Sequence, residues 1–454
     1  MKHLLTFLTL SLIAVTGFAK KPNFVIIMTD DQGYNDLSCY GSKKIKTPHV
    51  DKMAKEGRKF TSYYVASNVC TPSRAALLTG AYPQTVGMHN GVLFPQDNAG
   101  LHPEEVTIAD MLKTADYKTA CIGKWHLGHR KPFLPTKQGF DYYYGIPYSN
   151  DMNHPKNQHK PRDIRDGSWK NQDAFVAKWK TPLIENEEII EIPVNQRTIT
   201  RRYTDKAIEF IKTNKDEPFF LYLPHSMPHI PLFVPEDVYD PNPKNAYTCV
   251  IEHVDAEVGR LMDTLRELKL SENTYVIFTS DNGPWLPFRN HGGSAHPLRD
   301  GKGTVFEGGH RVPFVLWGPG RVPAGSETDA MVAAMDLLPT IAKLAGVTPE
   351  PRGPIDGLDV SEVFHGKDES PRNEFLFYTR RGQPVGIRVG NMKFLKLKNK
   401  LHLYDLENDI GERKNLATEQ PEKTQQLADR FTELSAKIRN QTRRRATAPN
   451  PDNP

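Results

Sequence analysis

Cys70-Thr71-Pro72-Ser73-Arg74 brings a thiol, a proline and a fixed cation within five positions. Ala66-Ser67-Asn68 ahead of it reads as a polar turn. Pro72 suits the first turn of a helix, where an N–H has no intrahelical acceptor, and residues 73–78 supply helix formers. Cys70 is therefore expected at a helix N-terminus, where free N–H groups and the helix dipole favour an anion and Arg74 adds a planar positive fork one turn on. Free cysteine also packs well as a small buried hydrophobe, so its chemistry must be argued from its companions.

Those companions lie where short apolar runs end. Phe24–Met28 runs into Thr29-Asp30-Asp31, and Lys118–Ile122 into Gly123-Lys124-Trp125-His126. Phe219–Leu223 runs into Pro224-His225-Ser226-Met227-Pro228-His229, and Tyr275–Thr279 into Ser280-Asp281-Asn282-Gly283. Asp30, Asp31, Asp281 and Asn282 offer only oxygen, the preference of Ca²⁺ or Mg²⁺, and calcium tolerates six or more irregular ligands drawn from separated loops. Arg74, Lys124, His126, His229 and Lys302 form a second, cationic set. Lys124 and His126 are two apart, so an extended segment turns both to one face. No Cys/His cluster at zinc spacing is present.

Cys-x-Pro-x-Arg followed by Leu77-x-Thr79-Gly80 resembles the maturation signature of the type I sulfatases, in which the cysteine is oxidised to formylglycine (3-oxoalanine). Together with Asp30-Asp31, Gly123-Lys124-Trp125-His126, Pro228-His229-Ile230-Pro231, Ser280-Asp281-Asn282-Gly283 and Gly301-Lys302-Gly303-Thr304-x-x-Glu307-Gly308-Gly309, it matches that family in order and spacing over nearly the whole mature chain. The arylsulfatase A and N-acetylgalactosamine-6-sulfatase branch is the nearest in pattern. The resemblance implies an alkaline-phosphatase-like α/β sandwich and hydrolysis of a sulfate ester on a sulfated carbohydrate. It implies one Ca²⁺ on Asp30, Asp31, Asp281 and Asn282, with Cys70, as formylglycine, both nucleophile and metal neighbour. The aldehyde hydrate carries two hydroxyls on one carbon: one attacks sulfur, and the other collapses to expel sulfate.

By the same resemblance Arg74 and Lys124 fix the hydrate and His126 is the base that helps release sulfate. His229 with Lys302 holds the ester oxygens and assists the departing alcohol. Gly145-Ile146-Pro147-Tyr148-Ser149 resembles the segment that brings a serine hydroxyl, here Ser149, to the sulfate. A formylglycine-generating maturation enzyme is the implied partner. Arg289, His291 and His296, in an irregular stretch between Asn282 and Lys302, are candidates for sugar contacts.

The elements that must hold these groups alternate strand and helix. After Phe24–Met28 come a helix at 50–56, a second that follows Cys70 and a third at 107–115, a strand at 118–122, and a helix at 204–213. A strand at 219–223, a long helix at 247–268, and a strand at 275–279 follow. Such alternation predicts a large, mostly parallel sheet flanked by helices, with ligands outside the carboxyl ends of the strands. Residues 150–197 turn polar and proline-broken, an expected excursion from the sheet. From Glu374 the pattern changes to short strands at 375–378, 385–389, 393–397 and 401–404, closed by an amphipathic helix at 422–438. The expected division is a catalytic domain at 20–370, a C-terminal subdomain with a short antiparallel sheet and a helix at 371–440, and a disordered basic, proline-rich tail at 441–454.

Residues 1–19 read as a signal peptide, with a basic start, an apolar run from Leu4 to Val15 and a small residue, Ala19, at the cleavage point. The run is too short for a stable membrane span, so an exported chain is expected, periplasmic or secreted and without a membrane anchor. With 38% hydrophobic and 25% charged residues the 454-residue chain has ample material for a core, and a net charge of +5 is a mildly basic mixed surface. No basic stretch is interleaved with aromatics, which argues against nucleic acid. Four cysteines are too few and too scattered for a disulfide framework. Two other readings fit parts of the pattern: a phosphate or phosphonate ester hydrolase on the same superfold, and a catalytically silent protein that binds anionic glycan.

Overall fold

The computed structural model describes residues 20–152, 167–177 and 179–449. The expected signal peptide, 1–19, lies outside them. Ten strands form the main sheet: β1 (Asn23–Thr29), β2 (Arg58–Phe60), β3 (Lys118–Ile122), β4 (Tyr142–Gly145), β5 (Leu183–Glu185), β6 (Glu188–Glu191), β7 (Phe219–Pro224), β8 (Thr274–Ser280), β9 (Phe314–Trp317) and β10 (Ser326–Thr328). Their order is β10-β2-β9-β8-β1-β7-β3-β4-β5-β6. The five central strands β8, β1, β7, β3 and β4 are parallel, and β9 and β5 join them antiparallel on either side. The apolar strand runs reflect this position. Every residue of β1, β7 and β8 is buried, because helices cover both faces.

Two hydrophobic cores lie on opposite faces of the sheet. One packs Phe24, Ile26 and Met28 with Leu77, Leu78 and Ile341, and the other packs Val25 and Ile27 with Tyr203, Val254 and Leu261. The helices that supply them are α1 (Pro48–Glu56), α2 (Cys70–Thr79), α3 (Ile108–Lys113), α4 (Ile199–Thr213), α5 (Ala246–Glu267) and α6 (Leu337–Ala345). The polar stretch expected to leave the sheet instead returns to it, since β5 and β6 form a hairpin that extends its edge. Tyr144 pairing with Glu185 gives β4 the neighbour that short-range pattern could not indicate.

A second sheet, antiparallel in the order β11 (Glu374–Tyr378), β12 (Pro384–Val389), β13 (Met392–Leu397), β14 (Lys400–Asp405), carries α7 (Pro421–Asn440). Its core is shared with the catalytic domain: Phe375, Phe377 and Leu395 pack with Tyr64, Ala66 and Ala76. A buried charge cluster crosses the same boundary, with Lys393 Nζ 2.9 Å from Glu307 and 2.7 Å from Glu412.

The tail corrects an expectation. Residues 441–449 are not disordered: Ala446–Thr447 pairs antiparallel with Ala99–Gly100, and the Arg443 guanidinium donates two hydrogen bonds of 2.8 Å to the Glu105 carboxylate. The basic run has a buried acidic partner, and the 99–100 segment offers unpaired backbone that the tail satisfies. The last five positions of the expected tail, 450–454, lie outside the described residues.

Candidate active site

Four adjacent parallel strands, β8, β1, β7 and β3, deliver their C-terminal ends to one place, and the expected residues follow directly from those ends. Asp281 N bonds to Thr29 O (3.0 Å), Asp30 N to Met227 O (3.2 Å) and Lys124 N to Pro224 O (2.7 Å), so the loops are tied to one another as well as to the sheet. Gly123 makes the last contact possible. At φ 139° its Cα faces the carbonyl of Pro224, and a Cβ would lie 1.9 Å from that oxygen. Asp31 and His126 both have positive φ, 63° and 61°, an uncommon backbone state that is held where surrounding structure over-determines it.

α2 starts on Cys70 and ends at Gly80 in the left-handed conformation, and all ten of its residues are buried. No side chain caps its first turn, so the N–H groups there remain open toward the site. The thiol of Cys70 donates to Asp30 Oδ1 at 3.4 Å, and Lys302 Nζ lies 3.6 Å from the sulfur. Burial, then the Asp281 carboxylate, pushes the thiol well above its ordinary range.

Each interior carboxylate meets a cation. Arg74 donates from Nε (2.9 Å) and Nη2 (2.8 Å) to Asp281 Oδ2, and from Nη1 to the carbonyl of Lys124 (2.7 Å). Lys124 Nζ donates to Asp30 Oδ2 at 2.5 Å and to Ser149 Oγ at 3.2 Å. Lys302 Nζ sits between both oxygens of Asp31, at 2.7 and 2.8 Å, and 4.3 Å over the ring of Trp285. Burial alone would raise the Asp30 carboxyl, but Lys124, His229 and Arg74 outweigh it and hold it below the usual range. Burial works against the Lys302 ammonium, and Asp31 outweighs it, so this lysine keeps its proton more firmly than an exposed one.

The two histidines are set differently. His126 Nε2 is 2.9 Å from the carbonyl of Leu93, which can only accept, so Nε2 carries the hydrogen. Burial, with Lys124 and Arg74 beside it, holds the ring well below its usual range, hence neutral. Nδ1 is then a bare acceptor, buried without a partner among the described residues. In His229, Nδ1 is 2.6 Å from the carbonyl of Ile230 and carries its hydrogen, while Nε2 lies 3.5 Å from Asp31 Oδ2. Ser149 Oγ is 3.4 Å from the ring nitrogens of His229.

A metal fits this donor set. Asp30, Asp31, Cys70 and His229 present ligand atoms within 4.8 Å of one another. Asn282 adds the decisive detail: its Nδ2 is committed to Asp31 Oδ1 (2.7 Å) and Gly283 O (2.9 Å), leaving Oδ1 buried with no partner among the described residues. An orphaned amide oxygen among three carboxylates suits a hard cation.

Cys70, His126, Ser149, His229 and Lys302 open on a cavity of about 490 Å³. Arg289 and His296 do not line it; they border a different depression with Asp36 and Tyr247. His291 is buried, its ring edge-on to Trp169 and its Nε2 3.2 Å from the carbonyl of Pro243. The stretch that holds all three leaves the cavity immediately after Trp285. Among the residues that do wall the cavity and were not singled out from sequence are Asn90, Phe94, Trp285, Arg380 and Arg381. Only Trp285, two positions beyond Gly283, carried a local signal. Thr71 was also missed: its hydroxyl donates to His126 O (2.9 Å) and accepts from Leu93 N (3.1 Å), fixing both ends of the contact that orients His126.

Comparison with known proteins gives the same answer as this geometry. The family model named Sulfatase matches residues 22–347, and that of the C-terminal part of N-sulphoglucosamine sulphohydrolase matches 296–441. Arylsulfatase G of Rattus norvegicus is 38% identical over 388 residues, covering 80% of this chain and 72% of its own. Arylsulfatase A of Homo sapiens is 39% identical over 396 residues, 85% and 77% of the two chains. The crystal structure of Ps i-CgsB in complex with k-i-k-neocarrahexaose superposes with a TM-score of 0.79 at 32% identity, covering 92% of this chain and 93% of that one. On motif order, sheet topology, site and similarity alike, the chain belongs to the sulfatase family and is a sulfuric ester hydrolase.

Proposed function

We propose that the chain releases inorganic sulfate from a sulfated carbohydrate, with Cys70 working as formylglycine and Ca²⁺ held by Asp30, Asp31, Asp281 and Asn282. The convergence of the site on Cys70 carries the reading. Its sulfur, at the N-terminus of α2, lies 3.4 Å from Asp30 Oδ1 and 3.6 Å from Lys302 Nζ, and it opens on the same cavity as His126, Ser149 and His229. An aldehyde in hydrated form would place a hydroxyl nucleophile there, with a second hydroxyl on the same carbon to expel sulfate. The calcium ion would supply positive charge to the sulfate oxygens and to that hydroxyl.

The chain's own groups divide the remaining work. Arg74 and Lys124 hold the nucleophile's surroundings through Asp281 and Asp30, and offset the negative charge that develops when it attacks. His126, neutral with a bare Nδ1, takes up a proton as sulfate is released. His229 and Lys302, beside Trp285, grip the ester oxygens and protonate or polarise the departing alcohol, with Ser149 between His229 and Lys124 as a further donor. The neocarrahexaose bound by the structural relative supports a carbohydrate substrate. Export through residues 1–19 and conversion of Cys70 by a formylglycine-generating enzyme belong to the same reading. No helix among the described residues is long and apolar enough to cross a membrane.

The test is a mass measurement of the peptide spanning Cys70, from protein made with the maturation enzyme, alongside free sulfate released from nitrophenyl sulfate and from sulfated oligosaccharides. The expected result is the mass of an aldehyde at position 70 and sulfate release that disappears in Cys70→Ala. Sulfate release at the full rate by protein whose Cys70 is entirely thiol would refute the reading.

A further inference from the structure

The interior cations of the site are already matched. Arg74 has Asp281, Lys124 has Asp30 and Lys302 has Asp31. Two cations on the cavity wall have no such partner. Arg380 and Arg381 occupy the turn between β11 and β12, line the same cavity as Cys70 and His229, and are exposed. Among the described residues neither makes a hydrogen bond or an ion pair. Other exposed arginines, Arg289, Arg413, Arg439, Arg444 and Arg445, also lack a side-chain partner among the described residues. What distinguishes Arg380 and Arg381 is their place, side by side on the lining of the cavity that holds Cys70 and His229.

The turn that presents them is fixed to the catalytic domain. Gly382 N donates to Thr379 O and Thr379 N to Gln383 O, both at 2.8 Å. Gly382 lies so close to His89 that a Cβ there, at φ 75°, would be 2.7 Å from the His89 carbonyl oxygen. The two arginine side chains are exposed, while the turn that carries them is held by its own backbone hydrogen bonds. The lining that they share with Cys70 also holds apolar side chains, Val69, Val92, Phe94, Met152 and Trp285, against which a sugar ring can pack. A cavity of about 490 Å³ has room for more than the reacting ester group alone. Among the described residues Asp151 is the only carboxylate on its lining, against Lys302, Arg380 and Arg381.

We propose that Arg380 and Arg381 form a second anion subsite, which binds a sulfate or carboxylate borne on the same substrate but not being cleaved. The sugar spans the apolar wall, its reacting ester lies at Cys70, and its second anion meets the arginine pair. Planar guanidinium groups bind either oxyanion through paired N–H donors. The enzyme thereby selects polyanionic carbohydrate over a singly sulfated one. This rests on the sulfatase reading above, because it is the reacting sulfate that orients the sugar.

The experiment is inhibition of nitrophenyl sulfate hydrolysis by the mature enzyme and by R380Q/R381Q. Three probes are used: inorganic sulfate, a κ-carrageenan tetrasaccharide carrying only sulfates, and a chondroitin 6-sulfate disaccharide carrying one sulfate and one carboxylate. The quantity read is the ratio of the inorganic sulfate Ki to the oligosaccharide Ki. The double variant is expected to lower that ratio about tenfold for at least one oligosaccharide, as two partly solvated charge-assisted contacts allow. R380K/R381K should recover part of it, and 0.5 M NaCl should erase most of the difference. The arm that falls further identifies sulfate or carboxylate as the preferred group. A parent ratio near one for both oligosaccharides, or a ratio untouched by R380Q/R381Q, would overturn the proposal. If formylglycine-containing parent releases sulfate from neither nitrophenyl sulfate nor the oligosaccharides, the sulfatase reading fails instead. Titration calorimetry with the same three probes then still decides whether the arginine pair binds anions.

Discussion

Replacing Arg74 with methionine tests the claim that the site is an internally balanced set of charges. The side chain is fully buried and makes three hydrogen bonds, two to Asp281 Oδ2 and one to the carbonyl of Lys124. Methionine keeps much of the apolar stem and removes the fork, leaving Asp281 a buried carboxylate without its cation and Lys124 O without a donor. Breaking a buried ion pair from one side costs about 3–5 kcal/mol, and an orphaned carbonyl adds about 1 kcal/mol more. Arg74→Lys should fall between, because one ammonium cannot reach both acceptors as the planar fork does. The assay is urea unfolding followed by tryptophan fluorescence, which five tryptophans make feasible, in EDTA and again in millimolar calcium. In EDTA the methionine variant should lose about 4 kcal/mol. In calcium the loss should shrink, since the bound ion then neutralises Asp281. A methionine variant as stable as the parent in EDTA, or a loss that grows with calcium, would refute the reasoning.

Three further outcomes are expected. His229→Ala should slow a sugar sulfate by about 10²–10⁴-fold, the usual range for positioned acid catalysis, and nitrophenyl sulfate far less, because nitrophenolate leaves without protonation; equal losses on both, read as kcat/KM, would remove His229 from that role. Lys393→Met should destabilise the fold by about 3–5 kcal/mol, because it leaves Glu307 and Glu412 facing each other in the interior; adding Glu412→Gln should recover part of the loss in a double-mutant cycle, and additive losses would speak against the cluster. Burial lifts Asp36 to about 7, above the 3.8 of an ordinary aspartate, despite hydrogen bonds from Tyr247, Gly33 and Ser294. The folded chain then holds a proton the unfolded one has released between those values, so this group's contribution to stability falls as pH rises from about 4 to about 7, by up to about 1.4 kcal/mol per unit; unfolding titrations across that range should show the slope in the parent and not in Asp36→Asn.

Much of the site was legible because each of its central parts sits at the end of a run with its own signal. A strand buried on both faces must be continuously apolar, so Phe24–Met28, Lys118–Ile122, Phe219–Leu223 and Tyr275–Thr279 mark the central strands, and the polar residues that follow mark the edge where ligands bind. The short border strands had no such mark. Arg58–Phe60 and Ser326–Thr328 are three residues each and exist because a distant partner supplies their hydrogen bonds. The same reason hid Leu183–Glu191 inside a polar stretch. Arg289, His291 and His296 were misplaced because nearness in sequence to Asn282 and Lys302 was read as nearness in space. The chain instead turns at Trp285 and carries them to another face. Arg380 and Arg381 lie more than 70 positions beyond Lys302, and only the docking of the C-terminal sheet brings them to the cavity.

That docking has a counterpart in the way the terminal strap closes. The segment from Thr85 to Glu105 holds Leu93, whose carbonyl orients His126, and it is clasped at both ends by the end of the chain: Arg443 N bonds to Thr85 O (2.7 Å), Ala448 N to Asn98 O (2.8 Å), and the Arg443 guanidinium to Glu105. During vectorial synthesis, therefore, every strand of the main sheet leaves the ribosome before the residues that lock this segment exist. The wall beside Cys70 stays unfastened until residues 443–448 have been made, and a chain cut just before Arg443 would keep its whole sheet yet lose the clasp on the backbone that aims His126.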